Sequence, residues 1–234
     1  MEIFRQILDF FYPRRCLYCQ KLITYPSPEF ICSDCLSQIV FAGKHCCRHC
    51  GRAMGVEHET ICQNCAELKP YFNNGISLFA FHTVGREFIH TLKYRNGTYL
   101  KNDLLQLLEH EKEKLQPLQN ATFVPVPLHF LRQWQRSYNQ SLLIAKALKI
   151  ACNGSISNVL KRKINTRSQT SLTRSERKQN VEGAFTLKVK TIDTMKTYVL
   201  VDDVFTTGAT LNECASILYK HGAKDIRIFT LAHG

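Results

Sequence analysis

Apolar positions follow no steady period before about Pro70, and beyond it short β-branched runs alternate with stretches of helical spacing. "GISLFAFHTV" reads as a strand or hairpin piece and "VGREFIHTLKYRN" as a short helix ending in a basic and aromatic cluster. Leu100, Leu104, Leu107 and Leu108, with charges between them, mark an amphipathic helix in "GTYLKNDLLQLLEHEKEKLQ". "ATFVPVPL" is a strand closed by prolines, and "RQWQRSYNQSLLIAKALK" a helix. "VEGAFTL", "TYVLVDDV" and "DIRIFTLAH" supply further strands, and Leu211, Ala215, Leu218 and Tyr219 recur at helical spacing. Strands alternating with helices predict an α/β fold, a doubly wound and mainly parallel sheet. The change of pattern divides the chain into a small domain over 1–70 and an α/β domain over 71–234.

At the amino end Ile3, Phe4, Ile7, Leu8 and Phe11 form one apolar face of a short helix ended by Pro13. Acids and an arginine inside that pattern make it a poor secretory signal. No run approaches the roughly 18 apolar residues of a membrane span. The expectation is a cytoplasmic protein without an integral membrane segment; a peripheral position at the inner face of the membrane is compatible with the apolar face.

Cysteine usage gives the small domain its chemistry. Nine of the 11 cysteines precede position 66, and eight of them form C-x-x-C pairs: Cys16/Cys19, Cys32/Cys35, Cys47/Cys50 and Cys62/Cys65. In a reducing compartment this pattern favours metal over disulfides. Two knuckles joined by a short connection complete a closed four-thiolate zinc site, and such a connection occurs twice. We therefore assign Cys16, Cys19, Cys32 and Cys35 to one zinc ion and Cys47, Cys50, Cys62 and Cys65 to a second; crossed pairings of the knuckles stay open. Complete pairs leave Cys46, His45 and His49 as non-ligands. Closed sites stabilise rather than catalyse, so chelation is expected to unfold the first 65 or so residues. Isolated Cys152 and Cys214 read as structural.

In the larger domain, "YVLVDDVFTTGATL" joins a buried apolar run to two acids and a small-residue turn that opens a helix. Ligands of open α/β sheets lie outside the carboxyl ends of the strands, and a helix N-terminus offers unpaired N–H groups to an anion. Asp202 and Asp203, placed at the strand's end, can accept hydrogen bonds from the two hydroxyls of a ribose and help to place Mg²⁺. Thr206, Thr207, Gly208, Ala209 and Thr210 can receive a 5′-phosphate, with Gly208 needed so that the backbone can approach it. The stretch resembles the phosphoribosyl pyrophosphate (PRPP) motif of type I phosphoribosyltransferases, which makes PRPP the expected ligand and Mg²⁺ its companion. Arg136 in "RQWQRSYNQ", Arg162 in "SNVLKR", and Lys93 and Tyr94 in "LKYRNG" are the candidate diphosphate-side contacts. No catalytic residue or base-reading pocket can be assigned from the residues.

Charge widens the range of partners. The chain carries 31 Lys plus Arg against 19 Asp plus Glu, a formal +12 that thiolates on zinc would reduce but not cancel. Such a balance favours phosphate-rich partners. Lys161 to Asn180 is polar and long, with seven basic side chains and one acid, and reads as a loop able to close over a polyphosphate. Tyr94, Trp134 and Tyr138 could stack bases.

From about Leu8 to Ala232 the order of C-x-x-C pairs, "LKYRNG", "VPVPLHFLRQWQRSYNQ", "LKRKINTRSQTSLTRSERKQNVEGAF" and "VLVDDVFTTGATL" resembles the ComF family of bacterial competence proteins. That resemblance implies a double zinc ribbon followed by a phosphoribosyltransferase-like domain. It also implies a role in natural transformation, handling incoming single-stranded DNA with a helicase-like ATPase and other competence proteins as partners. Where the family has R-G-F-N-Q, this chain has Arg136, Ser137, Tyr138, Asn139 and Gln140. Active transfer of a phosphoribosyl group to a nucleobase or other amine is the alternative function.

Overall fold

The computed structural model describes residues 13–23, 29–55, 60–128, 138–164 and 181–234. The expected amino-terminal helix, Arg136 and most of the basic loop lie outside these residues. Helices α1 (Ser33–Leu36) and α2 (Gln63–Leu68) each begin inside a cysteine knuckle, with Cys32 and Cys62 as N-caps and Cys35 and Cys65 within the helices. The α/β part runs β1 (Asn74–Ala80), α3 (Thr83–Tyr94), α4 (Lys101–His110), β2 (Thr122–Pro125), α5 (Gln140–Ala151), β3 (Ser155–Ile156), β4 (Leu160–Arg162), β5 (Phe185–Leu187), β6 (Thr197–Phe205), α6 (Ala209–Lys220) and β7 (Asp225–His233).

Five of these strands form a parallel sheet in the order β1-β7-β6-β2-β3. β4 and β5 pair antiparallel in a separate ribbon, so "VEGAFTL" is a strand that does not join the main sheet. Successive side chains of a strand face opposite ways. Val199 and Val201 accordingly enter one core with α3, α4 and α5, while Tyr198 and Leu200 enter a second core with α6.

The cysteine-rich segment grips the edge of this sheet. Residues 40–42 pair with the outer side of β1 through a Phe41–Phe79 bridge and the bonds Ala42 N–H to Leu78 O (3.0 Å) and Ala80 N–H to Val40 O (2.8 Å). This covers an edge that would otherwise offer unpaired backbone groups. On either side of that pairing the segment turns to opposite faces. Cys16 and Cys35 are buried in the core of α3 to α5, whereas Cys47, Cys50, Cys62 and Cys65 are buried in the core of α6.

Each module has its own anchor. Asp103, buried on α4, accepts the backbone N–H groups of Phe30 (2.8 Å) and Ile31 (3.0 Å) through Oδ1. Burial raises its pKa to about 6, and those two N–H groups limit the rise. Ser77 Oγ on β1 bonds Cys50 O (2.7 Å) and pairs with Thr230 Oγ1 (2.8 Å) on β7. Asp103→Ala is expected to cost about 2–3 kcal/mol, since it orphans two buried donors of a charge-assisted pair. Denaturant unfolding with zinc content held constant measures it; a loss below ~0.5 kcal/mol would show that water replaces the carboxylate at no cost.

Candidate functional site

In both cysteine clusters the four Sγ atoms lie within 4.8 Å of one another. A zinc tetrahedron with bonds of about 2.3 Å has edges of about 3.8 Å; Cys19–Cys32 and Cys50–Cys62 Sγ separations are 3.6 and 3.7 Å. Backbone N–H groups of Cys32 and Cys62 point at the Sγ atoms of Cys16 (3.5 Å) and Cys47 (3.3 Å). Burial and then the neighbouring thiols hold Cys35 above the ordinary thiol range, so four thiolates coexist there only with a cation among them. The donor set therefore fits zinc, the ligands pair in sequential order, and these are two four-cysteine zinc-binding sites.

The second candidate site forms where strand connections diverge. β2 leads through α5 to β3 on one side, and β6 leads through α6 to β7 on the other. Ligands of doubly wound sheets enter the crevice at such a reversal. Pairing of β2 with β6 ends at Pro125–Val201, while β7 accompanies β6 as far as Phe205–His233. The acids expected at the end of the strand thus lie three and two residues before its last residue, Phe205, beside the gap that β2 leaves.

The first turn of α5 fills that gap. Asn139 caps the helix by accepting Ser141 N–H (2.9 Å), and its Nδ2 donates to Val126 O (3.0 Å). The next two side chains then meet the acids. Gln140 Nε2 donates to Asp203 Oδ2 (2.9 Å), and Ser141 Oγ donates to Asp202 Oδ1 (3.0 Å). Lys93 Nζ, from the last turn of α3, lies 2.9 Å from Asp203 Oδ1. Burial opposes the Lys93 charge, but Asp203 and then Asp202 outweigh it and raise its pKa.

The two acids are not equivalent. Asp203 is 5% exposed and both its oxygens are engaged. Asp202 is half-buried; Oδ1 accepts Ser141 Oγ and the Asp203 N–H (2.9 Å), and Oδ2 has no hydrogen-bond partner among the described residues. Burial, and then the negative charge of Asp203, push the Asp202 pKa up to about 7, against the pull of Lys93 and Ser141. An acid that binds protons more tightly folded than unfolded makes stability fall with rising pH between its two pKa values. For Asp202 that window runs from an unfolded value of about 4 to about 7. Asp202→Asn should remove this slope and raise the melting temperature relative to wild type at pH 8. Scanning calorimetry at several pH values tests it, and an equal slope in both proteins would contradict the placement of the charge.

After β6, Thr206 is exposed, Thr207 and Thr210 are half-buried, and Gly208 and Ala209 are buried. Thr207 Oγ1 receives a long bond from Ala209 N–H (3.4 Å) at the start of α6. Gly208 has φ +76°, and a Cβ there would lie 2.4 Å from Phe205 Cζ and 2.8 Å from Leu68 Cδ2. Gly208 is therefore constrained inside the protein by a left-handed backbone and by crowding. Arg162 ends β4 with its guanidinium over the Phe185 ring (5.1 Å). Burial, and then the charge of Asp202, push the pKa of buried Cys214 on α6 up, against the pull of Arg162.

Tyr94 is exposed at the end of α3, its ring centroid 4.9 Å from that of His90. Both line a cavity of about 770 Å³ with Tyr18, Phe81, Arg86 and Lys93. Lys93 thus belongs at once to the carboxylate cluster and to this cavity. Ser141 and the cavity had no part in the sequence reading, and Gln140 entered it only as the last residue of the Arg136–Gln140 motif. Two polar residues directly after a capping asparagine, on a helix start that must face the core, were the available signal.

A double zinc ribbon clasped to a sheet of phosphoribosyltransferase type defines the class, and comparison with known proteins agrees. Residues 7–66 match the double zinc ribbon domain and residues 140–234 the phosphoribosyl transferase domain. Competence protein F of Haemophilus influenzae is 31% identical over 228 residues, spanning 95% of this chain and 98% of its own. Competence protein ComFC of Streptococcus pneumoniae is 29% identical over 231 residues, with 93% and 99% covered. DNA utilization protein YhgH of Escherichia coli K12 is 30% identical over 207 residues, with 86% and 89% covered. The chain belongs to the ComF family of competence proteins. Among the described residues no helix is long and apolar enough to cross a membrane.

Proposed function

We propose that this protein serves natural transformation from the cytoplasm, handling incoming single-stranded DNA and binding PRPP with Mg²⁺ at the Asp202–Asp203 site. The observation that carries the reading is the Oδ2 of Asp202, without a hydrogen-bond partner among the described residues, beside the gap at the strand reversal and next to the turn that opens α6. Asp202 accepts a ribose hydroxyl, and Asp203 acts through Lys93 and Gln140, which hold it in place. Thr206 to Thr210 take the 5′-phosphate, and Arg136 and Arg162 take the diphosphate. Lys93 neutralises one of two adjacent carboxylates, leaving a negative charge suited to Mg²⁺; the ion would be held chiefly by Asp202 and would neutralise diphosphate oxygens when bound.

Its relatives' names and its positive charge support the DNA reading. A helicase-like ATPase and other competence proteins remain the proposed partners. Exposed Tyr18 and Tyr94, with Arg86, offer stacking faces and a cation along one cavity. Phosphate contacts make affinity fall steeply with salt. Binding of a mixed-sequence oligonucleotide should therefore weaken at least about tenfold between 50 and 200 mM salt; binding indifferent to salt would remove the electrostatic basis.

The same cavity favours a second reading, transfer of the phosphoribosyl group to a nucleobase or other amine, since it adjoins Lys93 and could seat an acceptor ring. Titration calorimetry of the zinc-loaded full chain with PRPP and Mg²⁺ tests the shared step. Heat of binding that disappears in Asp202→Ala is expected, and no binding by the wild type overturns the site assignment. Release of pyrophosphate only when an acceptor is added would then decide for transfer.

A further inference from the structure

The two zinc modules sit on opposite faces of the sheet, and among the described residues only those of the second reach the turn between β6 and α6. Leu68, in the last turn of α2, follows Cys65 by three residues. Its Cδ2 occupies the space that a side chain on Gly208 would need. Phe72 stands edge-on to Phe205, with ring centroids 6.4 Å apart, and His233 stacks on the same ring at 5.2 Å. Tyr71 N–H is bound by Asn212 Oδ1 (2.8 Å) in the first turn of α6. Chain segments on both sides of the turn, Phe205 before it and Asn212 after it, are thus held by residues that follow the second cysteine cluster. The first cluster is anchored on α4 instead, through Phe30 and Ile31.

We infer that Leu68 is a positioning residue for the Thr206–Thr210 turn, through which the second zinc module sets the geometry of the phosphate site while the first module does not. The inference rests on the reading of that turn as a phosphate site. Physically, α2 is a helix of six residues, too short to hold its own shape. Its position follows from Cys62 and Cys65 at its ends and interior, both ligands of the second cluster. A closed metal site fixes those two backbone positions, and Leu68 transmits the fixed position to Gly208, where a left-handed residue without a side chain leaves no slack.

Leu68→Ala and Leu36→Ala are matched truncations, because Leu36 ends α1 beside the first cluster. With two zinc ions per chain confirmed in each variant, amide hydrogen exchange reads the turn directly and needs no ligand. Leu68→Ala should speed exchange at Thr206 to Ala209 and weaken PRPP binding about tenfold, as a misplaced binding group does. Leu36→Ala should change neither, and Leu68→Met should restore both. Unchanged exchange at Thr206 to Ala209 in Leu68→Ala overturns the inference, as does equal acceleration by Leu36→Ala. Altered exchange together with no PRPP binding by the wild type would leave the coupling standing and remove the phosphate reading instead.

Discussion

Chelation of zinc should abolish cooperative unfolding of the whole chain, and the effect should exceed that of any single side-chain change. Sequence spacing alone points to loss of the first 65 or so residues. The structure enlarges that expectation, because the cysteines are part of the domain's own cores. Cys16 and Cys35 pack with α3 to α5, and the four cysteines of the second site pack with Phe72, Phe205 and Leu211. Structural zinc contributes about 10–16 kcal/mol in finger peptides, as much as or more than the ~5–15 kcal/mol that stabilises a typical domain. Without the ion, four packed thiols repel ionisation, the ribbon leaves β1, and the sheet gains an open edge. Circular dichroism and calorimetry after chelation, with metal content measured, should show broad, non-cooperative melting and aggregation. A zinc-free chain that keeps a sharp transition would refute this.

Asp203→Ala should be the most damaging substitution at the candidate ligand site, because it strands Lys93. The Lys93 side chain is 23% exposed and the Asp203 side chain 7%. Breaking such a pair from one side costs about 3–5 kcal/mol, most of it the penalty of an uncompensated charge. The lower end applies here, since Lys93 retains some contact with water. Asp203→Ala with Lys93→Met should regain a large part of that loss, because no charge is then left alone. PRPP binding should remain absent in the double variant, since the Asp203 carboxylate and the Lys93 charge, both part of the proposed ligand site, are gone. Denaturant unfolding of the two single variants and the double variant gives the coupling energy. Strict additivity would mean that the ion pair seen here contributes nothing.

The local elements were legible because each carries its own period. Leu104, Leu107 and Leu108 announce α4, and the run Val199 to Val201 announces β6. Cysteine pairing was legible for a related reason: a C-x-x-C knuckle is local, and each pair of knuckles meets across a short connection. What could not be read was partnership over long separations. No local pattern pairs Lys93 with Asp203, 2.9 Å from it and 110 positions away in the chain. Gln140 and Ser141 fall inside the helix read over "RQWQRSYNQSLLIAKALK", whereas they form its first turn, and only the early end of β2 shows why they turn inward.

By itself, the order of residues determined the α/β class, the four C-x-x-C knuckles and the acid pair beside a glycine turn, because these depend on spacing within one segment. Tertiary structure decided which acid keeps an open oxygen, which zinc module touches the turn, and that Gly208 is crowded by Phe205 and Leu68. Those outcomes depend on where separate segments come to rest against each other. Burial, charge pairing and steric room are properties of that packing, and no periodicity within a single segment encodes them.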